Sequence, residues 1–139
     1  MNKMEVQRRI LITVAGLVLL SVLVMISTLP GIIQDTSPGA NPKVAAIATF
    51  VGMILHLVIL YGYIAAIRAN KRGRPADKGL NIGLGILLLL FGLIIMDGAF
   101  AFLDHVLFVS ILMFVVVFCD FVAALATFGA MFLKPKMKN

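Results

Sequence analysis

His56 and Asp120 lie deep inside long apolar runs of the chain. His56 comes 14 residues after Pro42 and 12 before Arg68, and Asp120 comes 14 after Val106 and 14 before Lys134. An imidazole and a carboxylate at matching depth can share a proton, hold a cation on a path through a helix bundle, or tie two helices together. An ionised aspartate at the centre of a membrane helix costs ~2.5 to 3.5 kcal/mol on insertion scales, so it normally faces the protein interior beside a partner. His56 is the candidate partner, and both the proton- or ion-handling role and the purely structural role stay open.

The residues around the pair suggest which faces turn inward. Ala45, Thr49, Gly52, His56 and Tyr63 recur at helical spacing as a strip of small and polar side chains. Thr127 lies two turns beyond Asp120, so Tyr63, Thr49, Thr127 and Ser21 are the expected polar residues of the bundle interior. Ser21 is expected to bond back to a carbonyl of its own helix. Phe114, Phe118, Phe121, Phe128 and Phe132 fall on another face, for lipid or for helix packing, and Gly85, Gly92 and Ala99, seven apart, read as a close-packing seam. Tyr61 and Tyr63 lie toward the end of the run, where interfacial aromatics are expected. The single cysteine, Cys119, is expected to pack as a small apolar residue.

Weaker constellations lie near the run ends. Asp97, Asp104 and His105 carry metal-ligand chemistry without a recognised ligand spacing, and Asp104 also stands where a helix cap belongs, so no metal is assigned. A lone deep histidine could ligate a haem or a chlorophyll, but membrane haem of the b type normally takes two axial histidines and this chain supplies one at depth. A cofactor is therefore not assigned. Nucleophile, phosphate-loop, dinucleotide, zinc and glycosidase patterns are absent, which argues against an enzyme.

These side chains need elements to carry them, and the composition says which. Of 139 residues, 62% are hydrophobic and only 13% charged, against roughly a quarter charged in soluble domains. The bilayer is therefore part of the solvent. Apolar runs predict an all-α polytopic membrane protein, one membrane domain over 1–139, with helices over about 10–29, 42–67, 80–102 and 105–133. The first run has 20 residues without an Ala-x-Ala, too long for a signal peptide and long enough to span. Pro30 and Gly31 are expected to stop the first helix, and Asn41 with Pro42 to start the second.

Charge orients the spans. Eleven of the 12 Lys and Arg residues fall before residue 10, in a polar stretch over 68–79, or after residue 133, and Lys43 is the exception. Basic loops stay cytoplasmic, so the chain is expected to form two helical hairpins with both termini in the cytoplasm, in the cell (inner or plasma) membrane. Arg68, Lys71, Arg72, Arg74 and Lys78 are then placed to touch anionic lipid headgroups of the inner face or an acidic partner. The net charge of +6 follows this topology pattern, which argues against a nucleic-acid partner.

Three functions fit. The first is an accessory or interaction subunit of a larger membrane complex, with other subunits or further copies as partners. The second is a small oligomeric proton- or cation-coupled transporter or channel using His56 and Asp120. The third is a haem- or pigment-binding membrane protein.

Overall fold

The computed structural model describes residues 2–133. Four helices make up the fold: α1 (Lys3–Ile33), α2 (Pro42–Lys71), α3 (Lys78–Phe102) and α4 (Leu107–Phe132), with no strand among the described residues. Each is long and apolar enough to cross a membrane. Even α3, with 25 residues, exceeds the roughly 30 Å of hydrocarbon at about 1.5 Å per residue. The lysines expected to close the chain, Lys134, Lys136 and Lys138, lie outside the described residues.

The helix starts are written locally. Asn2, Asn41 and Asp77 each accept a hydrogen bond from a first-turn amide, from Glu5, Val44 and Leu80 respectively, satisfying donors that a helix N-terminus leaves free. Asn41 with Pro42 behaves as expected. Asp104 does not, because the cap position of α4 is Val106, without a side-chain bond.

Four boundaries also depart from expectation. Pro30 lies inside α1, because one missing N–H does not prevent the next turn from closing and the Pro30 carbonyl still accepts from the Gln34 amide at 3.1 Å. Gly31 serves packing, since a methyl there would come within 2.6 Å of the Val109 side chain. Helix α2 continues through Arg68 to Lys71, taking up the first third of the stretch expected to be a loop, and ends only where Gly73 adopts φ of 83°. Helix α3 begins at Lys78, which shortens the basic connection further, whereas α4 begins at Leu107 and so lengthens the turn after α3 to residues 103–106.

On α1, the buried residues Met4, Gln7, Leu11, Val14, Val18, Ser21, Met25, Thr28 and Ile32 step by alternating threes and fours. That is a 3.5-residue period, the pattern that lets near-parallel helices stay in contact along their length. Helix α1 packs along α2 and α4, and α4 packs along α1 and α3, whereas α2 and α3 touch only sparingly. The Gly85–Gly92–Ala99 seam is the α3 side of the α3–α4 contact. Phe128 covers Gly85, Phe121 covers Gly92, and Ser110 donates to the Ala99 carbonyl at 2.6 Å. The phenylalanines of α4 thus divide: Phe121 and Phe128 pack against α3, and Phe118 and Phe132 are exposed.

One end of the bundle is basic and is held by amides. Gln7 donates to the Ala130 carbonyl and accepts from Asn70 and from the Ala76 amide, while Asn70 also donates to the Met4 carbonyl. All three helix-end regions are joined there through one glutamine. At the acidic end, Asp35 accepts from the Ser37 amide at 2.9 Å and lies 3.7 Å from His105.

Candidate functional site

The polar interior repeats by sevens. Thr49, His56, Tyr63 and Asn70 descend α2, Gln7, Ser21 and Thr28 share one register on α1, and Asp120 and Thr127 do the same on α4. A 3.5-residue period keeps such positions on one inward face, so the helices deliver polar side chains to the axis in layers.

The middle layer contains His56, Asp120 and Ser21, all fully buried. His56 Nε2 lies 2.8 Å from Asp120 Oδ2, His56 Nδ1 lies 2.7 Å from the Gly52 carbonyl, and Ser21 Oγ donates to Asp120 Oδ1 at 2.9 Å. Ser21 therefore does not bond back to its own helix, because a carboxylate oxygen without another donor sits across the α1–α4 contact. The backbones of α2 and α4 do not touch. Their side chains meet across the bundle diagonal, so adjacency of the two helices is not needed.

These bonds set the proton count. A carbonyl can only accept, so Nδ1 carries a hydrogen and donates to Gly52. A single proton then fits between Nε2 and Oδ2. It gives imidazolium and carboxylate when it sits on nitrogen, or neutral imidazole and carboxylic acid when it sits on oxygen. Both arrangements are neutral overall, which is what burial of both side chains favours. Removing that proton would leave two lone pairs facing each other and a net negative charge.

Two turns toward the basic end is a second layer. The Thr127 hydroxyl donates to the Ala123 carbonyl at 2.7 Å, so the Tyr63 hydroxyl must donate in turn to Thr127, at 2.8 Å. Tyr63 is inside the bundle and its neighbour Tyr61 faces out. Around and below Tyr63, Leu11, Val14, Val18, Leu84 and Leu88 form a buried apolar core that separates these layers from the Gln7 cluster.

Toward the acidic end the middle layer opens. Where α2 and α3 separate, a cleft of about 540 Å³ runs between them and is closed behind by Met25, Thr28, Met113 and Val116. His56 lines it, with the Phe91 ring 5.6 Å away, and so do Thr49, Gly52, Phe102 and Asp97. The Thr49 hydroxyl donates to the Ala45 carbonyl at 2.9 Å. Ala45, Thr49, Gly52 and His56 of the strip expected on α2 thus form one wall of the cleft, and Tyr63 is not part of it.

The other candidates separate. Asp97 is at the cleft, His105 faces Asp35, and Asp104 is exposed. Among the described residues no three His, Cys, Asp or Glu side chains gather closely enough to hold a metal ion. The Ser37 hydrogen bonds, chiefly, hold the Asp35 carboxyl below the usual carboxylate range, helped by the His105 charge and opposed by partial desolvation.

Sequence reasoning missed Gln7, Asn70 and Ser110. Continuing the seven-residue step from His56 and Tyr63 reaches Asn70, and stepping back from Ser21 reaches Gln7, so a signal existed for two of the three. No family model, no curated protein and no solved structure matches the chain.

Proposed function

We propose that this protein is a small multi-pass carrier of a cell membrane, without enzymatic activity, in which the cleft between α2 and α3 admits a small molecule or ion and the proton between His56 and Asp120 is exchanged during its passage. The observation that carries this reading is the position of His56, which is both a wall of the cleft and the partner of a fully buried carboxylate. The apolar core around Leu11 and Leu88 closes the opposite side, as expected of one state of a carrier that opens to its two faces in turn. In this reading the two consecutive helix pairs are hairpins, and both termini with the basic end lie in the cytoplasm, supported by the distribution of Lys and Arg. His56 has both ring nitrogens engaged, so ligation of a haem or pigment would require breaking one of these bonds, which disfavours the cofactor reading.

Liposomes containing only this protein, loaded with a pH-sensitive dye and given an acid pulse, test the proposal. The parent chain should dissipate the gradient faster than protein-free liposomes, and Asp120→Asn should not. Equal rates for parent and variant would refute it.

A second reading, an accessory subunit of a larger membrane complex, is favoured by α2, which packs firmly on α1 alone and exposes Ile47, Ile54, Val58 and Tyr61. Native mass spectrometry after mild extraction separates the two, since an accessory subunit should retain a foreign chain.

A further inference from the structure

Helix α2 ends in a structure that gathers positive charge. The Gly73 amide bonds to the Asn70 carbonyl and the Arg74 amide reaches back to the Ala69 carbonyl, each near 3 Å, with Gly73 at φ of 83°. This is a Schellman closure, in which a left-handed residue turns the chain back over the last helical turn. Its effect here is to return Arg74 to the face that already carries Arg68 and Arg72, four apart on the helix. Tyr61, Ala65 and Ala69 complete that face, and the six residues enclose a groove of about 260 Å³. The alanines leave the space, and three guanidinium groups border it.

No acidic residue lines the groove, and none of the three arginine side chains makes an ion pair or hydrogen bond with the described residues. Three exposed cations held together repel one another and call for an anion. Guanidinium groups present paired donors that match phosphate oxygens. Depth indicates the kind of phosphate. Tyr61 is 70% exposed and lies seven residues, about 10 Å along the helix, below Arg68 toward the hydrocarbon. A ligand filling the groove is therefore charged at one end and apolar at the other.

We infer that the groove formed by Tyr61, Arg68, Arg72 and Arg74 is a stoichiometric binding site for an anionic phospholipid whose headgroup carries two negative charges. The headgroup lies among the guanidinium groups, and the glycerol and upper acyl region lie against Tyr61. The inference is independent of the His56–Asp120 proposal and of which side of the membrane the basic end faces.

The test uses the full chain in phosphatidylcholine nanodiscs doped with cardiolipin, with bound lipid counted by native mass spectrometry. The parent should retain one cardiolipin per chain and bind phosphatidylglycerol more weakly. Replacing Arg68, Arg72 and Arg74 together by Gln should weaken retention by roughly a hundredfold, at about fivefold per basic side chain. A control with Lys3, Lys71 and Lys78 replaced by Gln removes the same charge from the same end without touching the groove, and it should retain the lipid. Equal losses in the two triple variants would show diffuse attraction and overturn the site. Displacement of the lipid by millimolar inorganic phosphate would overturn the lipid assignment.

Discussion

His56 Nε2 and Asp120 Oδ2 stand 2.8 Å apart on two helices whose backbones never meet. The side chains alone span the bundle diagonal, so what they exchange is a property of the interior, unlike the contact of two adjacent helix faces. The pair holds one proton in its gap and is neutral with it, and this gives structure and chemistry separable signatures.

Asp120→Asn separates them. Asparagine can donate its amide to His56 Nε2 and still accept from Ser21, so every hydrogen bond of the layer survives while the mobile proton is lost. Its stability in mixed-micelle unfolding should stay within about 1 kcal/mol of the parent, near the average for interhelical polar bonds. His56→Ala strips the carboxyl of one partner and opens a cavity, and should cost about 2 to 4 kcal/mol. Similar losses in both variants would contradict this proton assignment.

The α3–α4 contact leaves no room for added atoms at Gly92. A methyl group on Gly92 would lie 2.5 Å from the Phe121 ring, whereas one on Gly16 meets nothing within 4 Å. Gly92→Val should therefore destabilise the bundle by about 1 to 3 kcal/mol through overpacking, and Gly16→Ala should leave it unchanged or slightly more stable. Thermal unfolding in detergent, followed by circular dichroism, checks the difference.

Acid should loosen the acidic end first. The folded-state Asp35 carboxyl is held below its ordinary range by Ser37, so its contribution is fully present above the ordinary carboxylate range. It is lost as pH falls through the lowered folded value. Hydrogen exchange of the Ser37 amide should accelerate in that acid window in the parent, and in Asp35→Asn it should be faster at neutral pH and show a smaller acid response. An unchanged Ser37 exchange profile in Asp35→Asn would contradict the assignment.

Much of this arrangement could be read from residues alone, for a physical reason. Lipid offers no hydrogen bonds, so spans must be long apolar helices, and a deep histidine or aspartate stands out against them. The depth match of His56 and Asp120 and the small-residue seam at Gly85, Gly92 and Ala99 are both consequences. Helix ends were less legible because they depend on tertiary context: Pro30 costs one donor and no more, and nothing before Gly73 stops α2. Partners were legible only by type. Ser21 could satisfy itself on its own helix, and only the fold shows that an Asp120 oxygen is within reach across the α1–α4 contact. The cleft was not legible at all, since it arises where α2 and α3 fail to pack.

Infrared difference spectroscopy of the protein in bilayers, stepped in pH, tests the central claim most directly: one proton, shared by His56 and Asp120, exchanges through the cleft. The parent should show a carboxyl band that is missing in Asp120→Asn, and Thr49→Trp, which adds bulk to the cleft wall two turns from His56, should slow its appearance. A band that survives in Asp120→Asn, or one that develops as fast in Thr49→Trp, would contradict the account.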